Sequence, residues 1–137
     1  MNVPHDLMDV VLEGKEPPSC DKTLNIVIMQ ANTGTAHAKW EPDERFLNGV
    51  GVVMGGFVSS AADITMAYAV SSLLNENQSF GSINLNVTFH RAIAPGTVLV
   101  EARVEKIGRT IAYVVANLKQ NDKIAASAVS SVMIRER

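Results

Sequence analysis

The sequence predicts an α+β fold in which an antiparallel sheet of about six strands wraps around one long central helix. Three observations carry that expectation. Residues 46–75 (FLNGVGVVMGGFVSSAADITMAYAVSSLLN) hold one charged side chain, Asp63, and the rest are apolar, small or uncharged. Such a segment, from Gly55 onward, reads as a helix enclosed on several sides. From residue 82 the period changes to two, with Ile83, Leu85, Val87 and Phe89 alternating with Ser82, Asn84, Asn86, Thr88 and His90, the pattern of a strand. The segments that follow are joined by short turns, which favour consecutive antiparallel pairing.

Taken in order, residues 6–12 form a short amphipathic helix, because Leu7, Met8, Val11 and Leu12 recur at helical spacing. Glu13-Gly14 ends it, and Pro17-Pro18-Ser19 reads as a linker-like turn. Residues 23–31 (TLNIVIMQA) are strand-like, Asn32-Thr33-Gly34 signals a hairpin, and residues 35–40 return antiparallel. A loop over 41–51 leads to the central helix, read as 55–74, and a second loop over 75–79 precedes the strand 82–90. Ala94-Pro95-Gly96 turns into a strand over 97–107, where Val98, Val100, Ala102 and Val104 share one side. Gly108-Arg109 and Asn121-Asp122 then separate strands over 110–120 and 123–135. The whole of 1–137 is read as one domain, with 1–19 as an N-terminal helix and linker.

Composition narrows the function. A formal net charge of −2 and the absence of a basic run or an aromatic platform argue against a nucleic-acid partner. The single cysteine, Cys20, excludes an internal disulfide, and no signal-peptide pattern opens the sequence. Together these point to a cytoplasmic setting. The apolar run from Val52 to Leu74 has the length of a membrane span, but Asp63 at its middle and the serines around it favour a buried core helix, so no membrane partner is expected. A hydrophobic fraction of 47% is high for a small domain and suggests that a second copy covers some apolar surface.

The residues that carry chemistry lie around this helix. The glycines at 49, 51, 55 and 56 do not make a phosphate loop, since Phe57 stands where that loop needs lysine. His5, His37 and His90 are far apart and lack ligand spacing, so no metal site is expected. Gly55 and Gly56 open the helix, and their N–H groups belong to its unbonded, positively polarised end. A carbonyl oxygen approaching there would be polarised as in an oxyanion hole; alternatively the glycines serve only a tight turn and close packing. Asp63 in an apolar helix has its ionisation disfavoured. It reads either as a structural acid bonded to nearby polar groups or as a general base or nucleophile. Asn48 supplies a neutral amide that could orient water or a carbonyl. This is equipment for acyl transfer.

The spacing Asn48-x2-Gly51-x2-Met54-Gly55-Gly56-x6-Asp63 resembles the signature of hotdog-fold acyl-CoA thioesterases. It is most similar to the phenylacetate-degradation (PaaI-like) branch, whose motif runs Asn-x2-Gly-x2-His-Gly-Gly-x6-Asp. The likeness extends over roughly residues 20–135, through the strand from Ser82 to Phe89, Arg91, Pro95-Gly96 and Gly108-Arg109-Thr110. It implies a hotdog fold and hydrolysis of an acyl- or aryl-acyl-CoA to free acid and coenzyme A. It also implies Asp63 as the catalytic carboxylate, the Gly55 N–H polarising the thioester carbonyl, Asn48 placing the acyl group or water, and Ser82 assisting near Asp63. No cofactor is needed beyond the coenzyme A of the substrate. Arg91 and Arg109 would hold its phosphates, or as arginines at turns would only be solvated; Met54, Gly56, Phe57 and Met66 would line the acyl pocket, although Met54, Phe57 and Met66 suit the core equally well. Met54 departs from the family's histidine, which keeps open a non-catalytic acyl-CoA-binding or ligand-sensing domain. The same loss weakens a dehydratase reading, whose chemistry pairs a histidine with the acid.

Helix geometry adds a partner. Gly55 and Asp63 are eight residues apart, so about 12 Å separates their backbones along the axis. Both cannot easily meet one thioester carbon. Two chains related by a two-fold axis would bring Gly55 and Asn48 of one copy to Asp63 and Ser82 of the other. The resemblance implies the same homodimer with shared sites, often as a dimer of dimers.

Overall fold

A computed structural model describes residues 6–137; His5 lies outside the described residues. Two short helices, α1 (Leu7–Glu13) and α2 (Ser19–Leu24), precede the hairpin of β1 (Ile26–Asn32) and β2 (Thr35–Trp40). A 3-10 turn (Glu44–Phe46) leads to the long helix α3 (Gly55–Ser71), followed by β3 (Gln78–Ser82), β4 (Asn86–Phe89), β5 (Val98–Ile107), β6 (Ile111–Gln120) and β7 (Lys123–Glu136). Every pairing is antiparallel. The strand order is β1-β2-β5-β6-β7-β3, with β4 also on β7. The sheet therefore has six strand positions, the last of them filled by two segments.

The sheet curls around α3, which packs mainly on β5, β2, β6 and β1. Small residues on both partners permit the close approach. Ala61, Ala62, Thr65 and Ala69 of α3 are fully buried, as are Ala36, Ala38, Ala112 and Ala126 of the sheet to within about one percent of exposure. Trp40 fills one end of this core, and its indole N–H donates to the carbonyl of Leu24 at 2.9 Å, so the ring is buried with its polar atom satisfied.

Four features differ from the sequence expectations. The first is α2, where a turn and the start of a strand were expected. Its register is set from far away in the chain: Asp21 is 2% exposed and accepts a 2.7 Å bond from the Tyr68 hydroxyl of α3. Local pattern does not contain that tie. The second is the edge strand, expected over 82–90 after a loop. It begins at Gln78, because Gln78 and Ser79 pair with Glu136 and Arg135 of the long β7. It is also interrupted between Ser82 and Asn86. There the Asn84 carbonyl accepts from Ser130 Oγ at 2.7 Å, and its side-chain oxygen accepts from the Ser131 N–H at 3.0 Å. Pairing with a neighbour outweighs the weak strand propensity of these polar residues.

The third is connectivity. β4 and β5 were expected to be neighbours, yet β5 lies between β2 and β6. Residues 90–97 cross from one flank of the curled sheet to the other. They are pinned along the way, with His90 N and Arg91 N on the Ala125 carbonyl (2.8 and 3.0 Å) and the Ile93 carbonyl accepting from Val53 N (2.9 Å). Gln120 brackets Ala94 with two bonds of 3.0 and 2.7 Å. A short link forces neighbours in a flat sheet; in a curled one it can span the opening.

The fourth is the enclosure of α3, which is incomplete. Gly56, Ser60 and Asp63 are exposed, and Ser59, Ile64 and Ala67 are half-buried. These positions recur at helical spacing and form one open face. The sheet covers only the opposite side.

The Asp21–Tyr68 bond yields a stability prediction. Burial, together with the Asp21 carboxylate, drives the Tyr68 hydroxyl pKa well above its ordinary 10.0. The folded chain keeps this proton where the unfolded chain loses it, so stability should be full below pH 10.0 and fall as pH rises above it. Tyr68→Phe is expected to cost about 1–3 kcal/mol at neutral pH and to flatten the alkaline decline, both read by urea unfolding across pH.

Candidate active site

The segment that delivers α3 is a small closed loop. Leu47 and Val53 form a bridge pair, and inside it Asn48 N donates to Val52 O (2.8 Å) and Gly51 N to Asn48 O (3.0 Å). The Asn48 side-chain oxygen accepts from Val50 N at 3.0 Å and Val52 N at 3.2 Å. Gly51 sits at φ +84°, the left-handed region that favours glycine at this turn. Asn48 thus spends its oxygen on building the loop and keeps its NH2 group uncommitted among the described residues.

α3 then starts abruptly. The Met54 carbonyl accepts from Phe57 N (3.0 Å) and Val58 N (3.3 Å), and no side chain caps the helix. The N–H groups of Gly55 and Gly56 are the first-turn donors left over, at the positive end of the helix dipole. Phe89 of β4 lies against Gly55; a Cβ placed there would sit 2.9 Å from the Phe89 ring. Gly55, Asn48, Phe89 and Arg91 line one cleft of about 330 Å³, with Val52 and Val58 on its apolar side.

The other expected site residues lie apart from this cleft. Asp63 is on the open face of α3, two turns further along, and does not line it. Its pKa is raised because the surrounding helix and side chains desolvate the carboxylate, although the residue keeps a solvent-open face. Among the described residues no donor bonds to it, so the structural role of a locally satisfied acid falls away; Asp21 is the buried, bonded carboxylate of this fold. Ser82 is exposed at the end of β3. Met54 is 43% exposed and folds over Gly56, where a Cβ would meet its terminal methyl at 3.1 Å.

Phe57 stacks at a tilt on Phe46, with ring centroids 4.7 Å apart, and so helps to hold the loop. Met66, at 2% exposure, belongs to the core beneath the sheet and has no face toward the cleft. Arg91 and Arg109 are also separated. Arg109 is on the β5–β6 turn while Arg91 is pinned beside the β6–β7 end, and the ten residues of β6 put about 30 Å between those ends. Phe89 was not singled out from sequence. As one apolar residue in an alternating strand it carried no signal, and only the fold brings it onto Gly55.

Among the described residues no cluster of His, Cys, Asp or Glu could hold a metal ion, and no helix is long and apolar enough to cross a membrane. A curled antiparallel sheet around one helix, with free amides at that helix's N-terminus, defines the hotdog architecture and a site suited to acyl transfer.

Comparison with known proteins agrees. The thioesterase superfamily model matches residues 50–126, and this chain belongs to that superfamily of thioester hydrolases. A Pseudomonas aeruginosa protein provisionally named an esterase is 31% identical over 87 residues, 63% of this chain and 65% of that protein, just under two thirds of its length. A phenylacetic-acid-degradation-related protein of Ralstonia eutropha, provisionally a thioesterase, superposes with a TM-score of 0.88 at 29% identity, covering 94% of this chain and 99% of the other. The PaaI phenylacetic acid degradation protein of Thermus thermophilus shares the fold at a TM-score of 0.78 and 19% identity, over 84% of this chain and 97% of its own.

The loop gives a second prediction. Gly51→Ala forces a side chain into the left-handed region and is expected to destabilise the protein by about 1–2 kcal/mol, measured by denaturant unfolding. Asn48→Asp keeps an oxygen to accept both loop-building bonds while removing the free NH2 group. It should leave the melting temperature nearly unchanged while lowering activity.

Proposed function

We propose that this protein hydrolyses acyl- or aryl-acyl-coenzyme A thioesters to the free acid and coenzyme A. The observation that carries the reading is one cleft lined both by Gly55, whose N–H is uncommitted, and by Asn48, whose NH2 group is free among the described residues. The thioester carbonyl would take the Gly55 N–H, which polarises it and stabilises the oxyanion as the tetrahedral intermediate forms. Asp63 would take a proton from the attacking water, or attack the carbonyl itself to give an anhydride that water opens. On either route the C–S bond breaks as the tetrahedral intermediate collapses, before any anhydride is opened, and the thiolate leaves to be protonated as coenzyme A. The aromatic option is supported by the similarity to the phenylacetic-acid-related protein of Ralstonia eutropha. A cytoplasmic setting fits this chemistry.

The carboxylate would come from a second copy. Within one chain Asp63 is about 12 Å along the helix from Gly55 and outside the cleft. The β3/β4 edge pairs with β7 on one side only. Beside it Ile83 and Phe89 are 52% and 54% exposed, which supports a reading in which this edge pairs with a copy of itself. Such a homodimer would hold two shared sites, with a dimer of dimers as the larger assembly.

Thiol release from short, medium and aromatic acyl-CoAs tests the activity; tight binding without turnover of any thioester would instead support the non-catalytic reading. Asp63→Asn should lower turnover at least about a hundredfold with the fold retained. The raised pKa keeps Asp63 protonated above the ordinary 3.8. The rate should therefore climb with pH through a midpoint above that value, and this limb should vanish in the variant. Mixing Asp63→Asn chains with Asn48→Asp chains, each impaired alone, should restore one of the two sites per mixed dimer and raise activity above that of either variant. Activity that stays absent after verified subunit exchange rules out shared sites.

Met54→His, which restores the family's usual residue, is expected to raise turnover or shift acyl preference in the same substrate series. An unchanged profile makes residue 54 a bystander.

A further inference from the structure

Two side chains expected in an acyl pocket are spent elsewhere, since Phe57 stacks on Phe46 and Met66 lies in the core. A cavity of about 760 Å³ opens instead at the other end of α3. Ser71, the last residue of α3, lines it, and Leu74 just beyond joins Leu7, Met8 and Phe80 in an apolar wall between α1 and β3. Polar groups around this wall are largely committed to the backbone. Asp6 accepts from Met8 N at 3.0 Å, the Gln78 side-chain oxygen accepts from Asn75 N at 3.0 Å, and Arg137 Nε donates to the Gln78 carbonyl at 2.8 Å. What remains for a guest is mainly hydrocarbon surface, which a chain of methylenes gains by covering. Asp6 and Glu76 face one cation, Arg137, in the lining, so a free carboxylate has no advantage inside.

The cavity continues the face that carries Asp63. Asp63, Ala67 and Ser71 follow one another at four-residue spacing and share one side of α3. Along that line Asp63 is exposed, while Ala67 and Ser71 are half-buried where α1 comes against α3. Ala67 presents only a methyl group, which leaves a groove rather than a barrier. From Asp63 to Ser71 the groove runs about 12 Å along the helix axis. A phenylacetyl group is too short to pass that distance, whereas an unbranched chain of medium length reaches the cavity.

We propose that this cavity receives the distal methylenes of an unbranched acyl chain of medium length, with Ser71 and Leu74 as specificity-determining residues. The proposal rests on the thioesterase reading above and selects the aliphatic of its two substrate options. The cavity belongs to the chain that supplies Asp63. The acyl chain therefore lies along one protomer, while the other holds the thioester carbonyl at Gly55.

The test follows kcat/KM over butyryl-, hexanoyl-, octanoyl-, decanoyl- and dodecanoyl-CoA, with phenylacetyl-CoA as the aromatic arm. From hexanoyl to decanoyl the wild-type protein is expected to gain up to about fourfold per methylene, the worth of one buried CH2. Phenylacetyl-CoA should be turned over no better than butyryl-CoA. Ser71→Phe, which narrows the way in, should lower the decanoyl-to-butyryl ratio by at least about tenfold, and Leu74→Ala should move the optimum toward dodecanoyl-CoA. A misfolded variant loses every substrate together, so the ratio separates the cavity from a folding defect. A wild-type profile that is flat or falls beyond butyryl-CoA, or a ratio that Ser71→Phe leaves unchanged, overturns the proposal with the thioesterase reading intact. Calorimetry on the Asp63→Asn protein adds a readout independent of turnover. There decanoyl-CoA should bind at least about tenfold more tightly than butyryl-CoA; equal affinities overturn the proposal. Free decanoate binding as tightly as decanoyl-CoA assigns the cavity to a free acid and likewise overturns it. If the wild type releases thiol from no thioester, the thioesterase reading fails, and these affinities alone decide the cavity.

Discussion

The close approach of α3 to an alanine-lined sheet is the constraint on which the rest of the chain depends. Small residues on the sheet side of the helix meet small residues on the concave face of the strands, so the sheet can curl tightly and bury a helix with few large side chains. The curl has two consequences. It brings the flanks of the sheet near enough for residues 90–97 to cross the opening and bond to the loop before α3. It also covers only one side of the helix and leaves Asp63 on the other.

The crossing is what builds the cleft. Without it Phe89 and Arg91 would continue away along an ordinary hairpin, and the first turn of α3 would face solvent. With it, Ile93 ties to Val53, Phe89 packs on Gly55, and the unbonded amides at the helix N-terminus acquire walls. Asn48 contributes twice over, since its oxygen shapes the loop that presents Gly55 and its NH2 group stays available.

Asp63 and Asp21 show how environment separates two acids of the same type. Asp21 is buried against the Tyr68 hydroxyl and serves to hold α2 on the core. Asp63 has no such partner among the described residues, lies on the open helix face, and has its ionisation disfavoured by desolvation alone. A carboxylate kept unpaired, partly desolvated and accessible is suited to proton transfer; one locked to a phenol is suited to stability.

Much of this protein was determined by local pattern. The alternation over residues 98–104 gave β5, the uncharged run gave α3, and the turn residues at 33–34 and 121–122 gave hairpins that the structure contains. The motif from Asn48 to Asp63 marked the family, because its spacing is a property of one continuous segment. Tertiary structure alone decided the rest. The short helix α2 depends on Tyr68 and Trp40, residues far along the chain. The strand from Gln78 depends on β7, and the order that puts β5 beside β2 depends on the curl. The same holds for the placing of Phe89 on Gly55, of Met66 in the core, and of Arg91 far from Arg109. Each of these is settled by contacts between distant segments, and a periodicity read over a dozen neighbouring residues has no access to the energy of such contacts.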